Sequence, residues 1–250
     1  MNELIKIKMS DAQIDSWPLF LQEAVKDHDK FCLIIEPERK LCSNCDYLVF
    51  DKGTLQYISS EFGKMSFNFE ETMLYHQRQR YALTKEPLAR ALGIKGDNKG
   101  DNKRIIWDAT CGTGKDTLLI SYFGAHLTSF ERHPLIYLLL QDALRRFPLD
   151  IDLRFQEAKI SGNNLPAPEV IYFDPMYPSK KKSALPRKEM LIFKDIVGED
   201  LDASEFLEWA LTKATERVVV KRPSEAVPLK LKPTASYKGK STRYDMYKIF

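Results

Sequence analysis

Apolar residues in this chain fall into short runs, and the spacing within each run predicts its element. Phe31–Glu36 (FCLIIE) is a short apolar run that fits a buried strand. Tyr47–Phe50 and Leu55–Ile58 alternate around Gly53, as strands of a small β-rich unit do. From Thr72 to Leu92 the apolar positions Leu74, Tyr81, Leu88 and Leu92 recur at helical steps; Pro87 kinks that helix or starts a second, and Gly93 is placed to cap it. A polar, glycine- and asparagine-rich stretch, GIKGDNKGDNKR, reads as a loop.

Beyond residue 103 the pattern becomes regular. Strands are predicted at Ile105–Ala109, His126–Glu131, Asp152–Gln156, Val170–Asp174 and Arg217–Lys221, with a closing strand at Tyr244–Phe250 paired to Ser236–Lys240. Helices are predicted at Lys115–Phe123, Pro134–Phe147 and Glu205–Ala214. Strands alternating with helices at this spacing indicate an open, mostly parallel α/β sheet. The runs IIWDA, VIYF and VVV are apolar on both faces, as central strands covered by helices must be. The expected organisation is a small α+β subdomain over residues 1–70, a helical connector and loop over 71–102, and the main domain over 103–250.

Composition narrows the class. With 250 residues, 44% hydrophobic and 29% charged, the chain has the balance of an ordinary globular protein. No apolar run reaches the ~18–20 residues of a membrane-spanning helix. The first residues lack the features of a secretion signal, so a cytoplasmic protein with reduced cysteines is expected. Net charge is +3, yet residues 175–250 carry +6 and the remainder −3. A basic final third suits a polyanionic partner.

Three motifs carry candidate chemistry. Asp108-Ala109-Thr110-Cys111-Gly112-Thr113-Gly114-Lys115-Asp116 sits where a strand turns into a helix, at the carboxyl end of a parallel sheet where ligands bind. It fits neither GxxxxGK[ST] nor GxGxxG, and its acids disfavour a pyrophosphate. They suit a cationic ligand. Glu131 closes the next strand 23 residues after Asp108, the spacing at which a carboxylate receives ribose hydroxyls. Together these point to an adenosine-bearing ligand without a phosphate requirement, which S-adenosylmethionine satisfies best. The third motif, Asp174-Pro175-Met176-Tyr177-Pro178, follows the strand VIYF. It matches the [DNS]-P-P-[YF] type of site that methylates amino groups of bases, with Met in the third place. There an acceptor oxygen orients the amine and an aromatic ring stacks on the base.

DATCGTGKD, FERHP, IYFDPMYPSKKKSALPRKEMLIF and RVVVKRP together resemble the RsmJ family of small-subunit ribosomal RNA guanine-N2 methyltransferases. The resemblance runs from about His76 to the C-terminus and includes GIKG at 93–96. It implies a class I, Rossmann-like methyltransferase fold, S-adenosylmethionine as donor, and a guanosine of small-subunit (16S) rRNA, free or in the assembled small subunit, as substrate. It implies donor contacts at Lys115, Asp116, Glu131, Arg132, Glu157, Ala158 and Asp174, to which the motifs themselves add Asp108 and Gly112 for the donor and Asp174, Pro175 and Tyr177 for the transfer site. The family's glycine-rich stretch after its His-Arg segment is replaced here by Arg80-Tyr81-Ala82-Leu83-Thr84-Lys85.

Lys180, Lys181, Lys182, Arg187 and Lys188 follow the third motif, and Lys221 and Arg222 end a strand on the same edge. All seven are expected to contact RNA phosphates. The same motif type admits two other functions: methylation of DNA adenine or of a protein amide, or RNA binding without catalysis. A rival site, His28, Cys32, Cys42 and Cys45, offers four zinc-ligand types with one Cys-x-x-Cys knuckle. Its spacing is irregular and Cys32 lies in an apolar run, so no metal is expected.

Overall fold

The computed structural model describes residues 5–9, 17–27, 33–37, 45–95, 103–161, 164–177, 188–198 and 202–250. Their strands are β1 (Ile5–Met9), β2 (Leu33–Pro37), β3 (Tyr47–Asp51), β4 (Thr54–Ser59), β5 (Gly63–Met65), β6 (Ile105–Asp108), β7 (His126–Glu131), β8 (Ile151–Phe155), β9 (Val170–Phe173), β10 (Arg217–Pro223), β11 (Ala235–Lys238) and β12 (Thr242–Lys248). Their helices are α1 (Leu19–Lys26), α2 (Phe69–Gln79), α3 (Pro87–Leu92), α4 (Lys115–Tyr122), α5 (Pro134–Arg146), α6 (Ala158–Ser161), α7 (Lys188–Val197) and α8 (Ala203–Lys213).

Two compact units share these elements, and neither is continuous in sequence. The first takes residues 1–68, 133–148 and 178–198, and its sheet has the order β2-β1-β3-β4-β5. Here β1 pairs in parallel with β2 and β3, while β3, β4 and β5 form an antiparallel meander. Helix α5 belongs to this unit through Asp142, which has no exposure. Its carboxylate accepts the Leu55 amide of β4 at 3.1 Å and is neutralised by Arg145 at 2.9 Å and Arg146 at 2.8 Å. The same two guanidiniums donate to the carbonyls of Gly53 and Phe67, so one buried acid fixes the hairpin to the helix.

The second unit holds the seven-stranded sheet β11-β12-β10-β9-β6-β7-β8. Strands β10, β9, β6, β7 and β8 are parallel, and β12 and β11 extend the edge antiparallel. Successive side chains of a strand point to opposite faces, and two separate cores follow from that. Ile106, Val170, Tyr172 and Val219 pack with α3 and with Ile120 and Phe123 on one face. Trp107, Ile171, Phe173, Val218 and Val220 pack with α8 on the other. Burial on both faces explains the unbroken apolar runs read in the sequence.

The helical spacing of 72–92 resolves into two helices, with Pro87 as the first residue of α3. Gly93 caps α3 at φ 71°, and its amide bonds back to Ala89 and Arg90. β1, β5, α1, α6 and α7 were not predicted from the pattern. They are short or irregular in period, and register with their neighbours decides them.

Candidate functional site

The order of β9, β6 and β7 creates the site. The chain passes from β6 outward to β7 and β8, then returns to place β9 on the other side of β6. At such a reversal the loops leaving the two strands diverge and open a crevice at their carboxyl ends. Asp108 and Glu131 end β6 and β7, Asp174 follows β9, and Lys221 lies two residues before the end of β10.

The turn after β6 is tied to both neighbouring strands. Ala109 donates its amide to the Tyr172 carbonyl and Cys111 to the Phe130 carbonyl, each at 2.9 Å. Gly114 sits at φ 76°, a left-handed conformation open to glycine, and releases the chain into α4. Asp108 lies behind the turn, fully buried, and accepts the Thr117 hydroxyl at 2.5 Å and the Thr110 amide at 3.2 Å. Burial pushes its carboxyl up to about 7; the two hydrogen bonds oppose that rise and the Asp116 and Asp174 charges add to it. Glu131, also buried, accepts the Gly112 amide at 3.0 Å.

The loop after β9 is bound to the same turn. The Asp174 amide donates to the Thr110 hydroxyl at 2.7 Å. Lys221 then joins the acids of two motifs: its ammonium lies 2.8 Å from Asp116 Oδ2 and 2.8 Å from Asp174 Oδ2. The buried Tyr172 hydroxyl donates to Asp116 Oδ2 at 2.5 Å. Burial pulls the Lys221 ammonium towards neutrality, but the two carboxylates outweigh it and hold its proton well above the usual lysine range. Tyr177 donates its hydroxyl to the Lys221 carbonyl at 3.2 Å. The Arg222 guanidinium lies 4.3 Å from the centre of the Tyr177 ring and bonds the Val227 carbonyl.

Comparison with known proteins agrees with this geometry. The family described as "Putative SAM-dependent methyltransferase" matches residues 30–249. The ribosomal RNA small subunit methyltransferase J of Thioalkalivibrio sulfidiphilus is 42% identical over 198 residues, covering 74% of this chain and 76% of that protein. Its namesake from Haemophilus ducreyi is 40% identical over 200 residues, covering 75% and 78%. The chain belongs to the ribosomal RNA small subunit methyltransferase J family. A crystal structure of a SAM-dependent methyltransferase from Neisseria gonorrhoeae superposes with TM-score 0.71 at 26% identity, covering 98% of this chain and 96% of that one. The class I fold expected from the sequence is the fold observed.

The donor of this family is S-adenosylmethionine, and the donor set here fits it. Three acids, Asp116, Glu131 and Asp174, surround a glycine turn without a phosphate cradle, as a cationic adenosyl ligand requires. Of the residues expected to touch it, Gly112 donates its amide to Glu131, Asp116 and Asp174 share the Lys221 ammonium, and Asp108 accepts Thr110 and Thr117 within the turn. Lys115 is exposed at the first turn of α4. Arg132 and Glu157 pair at 3.7 Å, and Ala158 is buried at the start of α6. Pro175 is buried beside Asp174.

Lys221 and Arg222, expected at RNA phosphates, are placed inward, on two carboxylates and on an aromatic ring. Lys180, Lys181, Lys182 and Arg187 lie outside the described residues, as does the side chain of Lys188. His28, Cys32 and Cys42 lie outside them too. Cys45 is in a disulfide, which corrects the expectation of a reduced thiol there: a sulfur bonded to sulfur has no thiolate to give a metal. Cys111 is a buried free cysteine, its thiol 3.2 Å from the Thr117 hydroxyl. Among the described residues no group of metal-ligating side chains is gathered, and no helix is long and apolar enough to cross a membrane.

Sequence reasoning did not single out Thr110, Thr117 or Tyr172, and it gave Lys221 another use. One signal was available for Lys221. It is a lysine directly after the apolar run Val218–Val220 of a central strand, and the neighbouring strand β9 is followed by Asp174.

Proposed function

We propose that this protein methylates the exocyclic N2 amine of a guanosine in small-subunit rRNA, free or in the assembled subunit, and acts in the cytoplasm with that substrate. The observation that carries the reading is the fastening of Asp174 to the donor turn, through Thr110 and through Lys221 and Asp116. It sets a carboxylate for an amine directly beside an acidic turn for a cation. S-adenosylmethionine, when bound, supplies an electrophilic methyl group on a sulfonium.

The chain's own residues do the rest. Asp116, Glu131 and the Gly112 turn hold the donor, with Glu131 placed for ribose hydroxyls. Asp174 accepts an N–H of the amine, turns the nitrogen towards the methyl group and faces the positive charge that grows on nitrogen. Tyr177, its ring backed by Arg222 and its hydroxyl anchored on Lys221, offers a fixed aromatic surface to the base. The lysines at 180–182, with Arg187 and Lys188, supply phosphate contacts that position the RNA.

Asp174→Asn keeps shape and an acceptor but loses the charge. Turnover at saturating donor should fall about 10²-fold, and further in Asp174→Ala. Single-turnover methylation separates this from a binding defect. Full activity in Asp174→Ala, or no change at any guanosine of small-subunit rRNA when the gene is removed, would sink the reading.

A further inference from the structure

Lys221 touches acids from two different motifs of the site. Asp116 comes from the head of α4 and Asp174 from the loop after β9, and both oxygens that meet the ammonium are Oδ2, each at 2.8 Å. The lysine is rigidly mounted. It follows three fully buried residues of β10, and its own carbonyl receives the Tyr177 hydroxyl. We propose that Lys221 is a positioning residue of the transfer site: its ammonium ties Asp174 to Asp116 and so fixes, in one geometry, the carboxylate that receives the amine and the carboxylate at the head of the donor turn. The inference rests on the function proposed above and adds how that site is held.

Electrostatics gives the tie its strength. Asp108 on β6, Asp116 on α4 and Asp174 after β9 crowd one end of the sheet, and their charges act on one another. Tyr172 on β9 and Tyr244 on β12 face the same cluster, and His76 on α2 feels Asp116. Burial keeps the two tyrosines protonated, and burial holds His76 below its usual range despite Asp116. Lys221 is a cation within the cluster that touches both Asp116 and Asp174. Without it, Asp174 and Asp116 repel, and the acceptor carboxylate swings from its place or takes a proton.

The test compares Lys221→Met, Lys221→Arg and Asp116→Asn with the wild type. In single turnover at saturating donor, Lys221→Met should lose about 10²-fold in rate, and the acid limb of its pH–rate profile should move up by about one unit or more. Lys221→Arg keeps the charge, so its limb should stay in place while its rate falls less. Asp116→Asn leaves the ammonium a single anion, so its limb should move down. A second readout needs no donor. By denaturant unfolding at neutral pH, Lys221→Met should be less stable than the wild type, and Lys221→Arg, which keeps the charge between the two carboxylates, closer to it.

A wild-type rate and profile in Lys221→Met would overturn the inference. So would a slowed variant whose limb does not move and which arginine does not rescue, since that is the mark of a merely structural lysine. Should Lys221→Met not fold, an unmoved limb in both Lys221→Arg and Asp116→Asn would count against it, because Asp116→Asn is expected to shift. A wild type inert towards small-subunit rRNA would remove the functional reading and this inference with it, whereas an active wild type with unmoved variants removes this inference alone.

Discussion

Asp108 shows how one buried residue can shape the turn that leads from a strand into a helix. Its carboxyl is buried, held by Thr117 and Thr110, and titrates at about 7 instead of the ordinary 3.8. An acid raised in the folded state stabilises the fold fully below its unfolded value and loses that contribution as pH rises through the folded one. The window therefore runs from about 4 to about 7, at no more than about 1.36 kcal/mol per unit. Asp108→Asn does not titrate. Its stability relative to wild type should improve between pH 5 and pH 8, measured by denaturant unfolding at each pH; a constant difference would mean that the acid is already ionised in the fold. The sequence showed the acid and its strand end, but not that the side chain turns inward. That depends on Thr117, one turn into α4, reaching back to it. Glu131 was legible as a strand-end acid, whereas its bond to the Gly112 amide depends on how β7 lies beside β6.

At the scale of elements, periodicity carried most of the main sheet because its central strands are covered on both faces. The hairpin of β3 and β4 was equally plain from its alternation about Gly53. Less visible were the bonds that join element ends. Arg104, Glu169, Glu216 and Arg217 meet at the amino ends of β6, β9 and β10, and Arg217 reaches the cap of α3. Gly93 belongs to that junction: a Cβ there would stand 2.9 Å from the Arg217 guanidinium, on a residue at φ 71°. Gly93→Ala should cost about 1–2 kcal/mol from the left-handed backbone alone, seen as a melting point lowered by several degrees. An unchanged melting point would show that the cap relaxes freely. The inward placement of Lys221 and Arg222 has the same origin. Charge at a strand end reads as solvated until the neighbouring strand ends are known, and strand order is set by the path of the whole sheet.

For the molecule as a whole, charge is divided between an acidic crevice and a basic final third. Part of that basic excess is internal: Arg243 is bound by buried Asp245 and Lys221 by Asp116 and Asp174, while Lys230 pairs with Glu208 at the surface. Lys232, Lys238 and Lys240 remain exposed. The proposed RNA binding by 180–182 can be tested by salt. Replacing Lys180, Lys181 and Lys182 with Ala should weaken RNA binding and reduce the slope of log affinity against log salt by about 0.7–0.9 for each phosphate no longer neutralised. An unaltered slope in filter binding would return those lysines to plain solvation.

The buried Asp142 has a consequence for how this protein can be divided. The hairpin of β3 and β4 is complete only when the Leu55 amide and the Gly53 carbonyl meet groups on α5, eighty or more residues further along the chain. No single stretch of gene therefore encodes the first unit. A recombination that exchanged residues 1–68 between two relatives would leave the recipient's own helix facing a foreign hairpin. Where the carboxylate, the two arginines and the hairpin carbonyls did not match, a negative charge would be stranded in the interior. Such a unit changes by substitution in place, with both partners in step, and not by trade of whole modules.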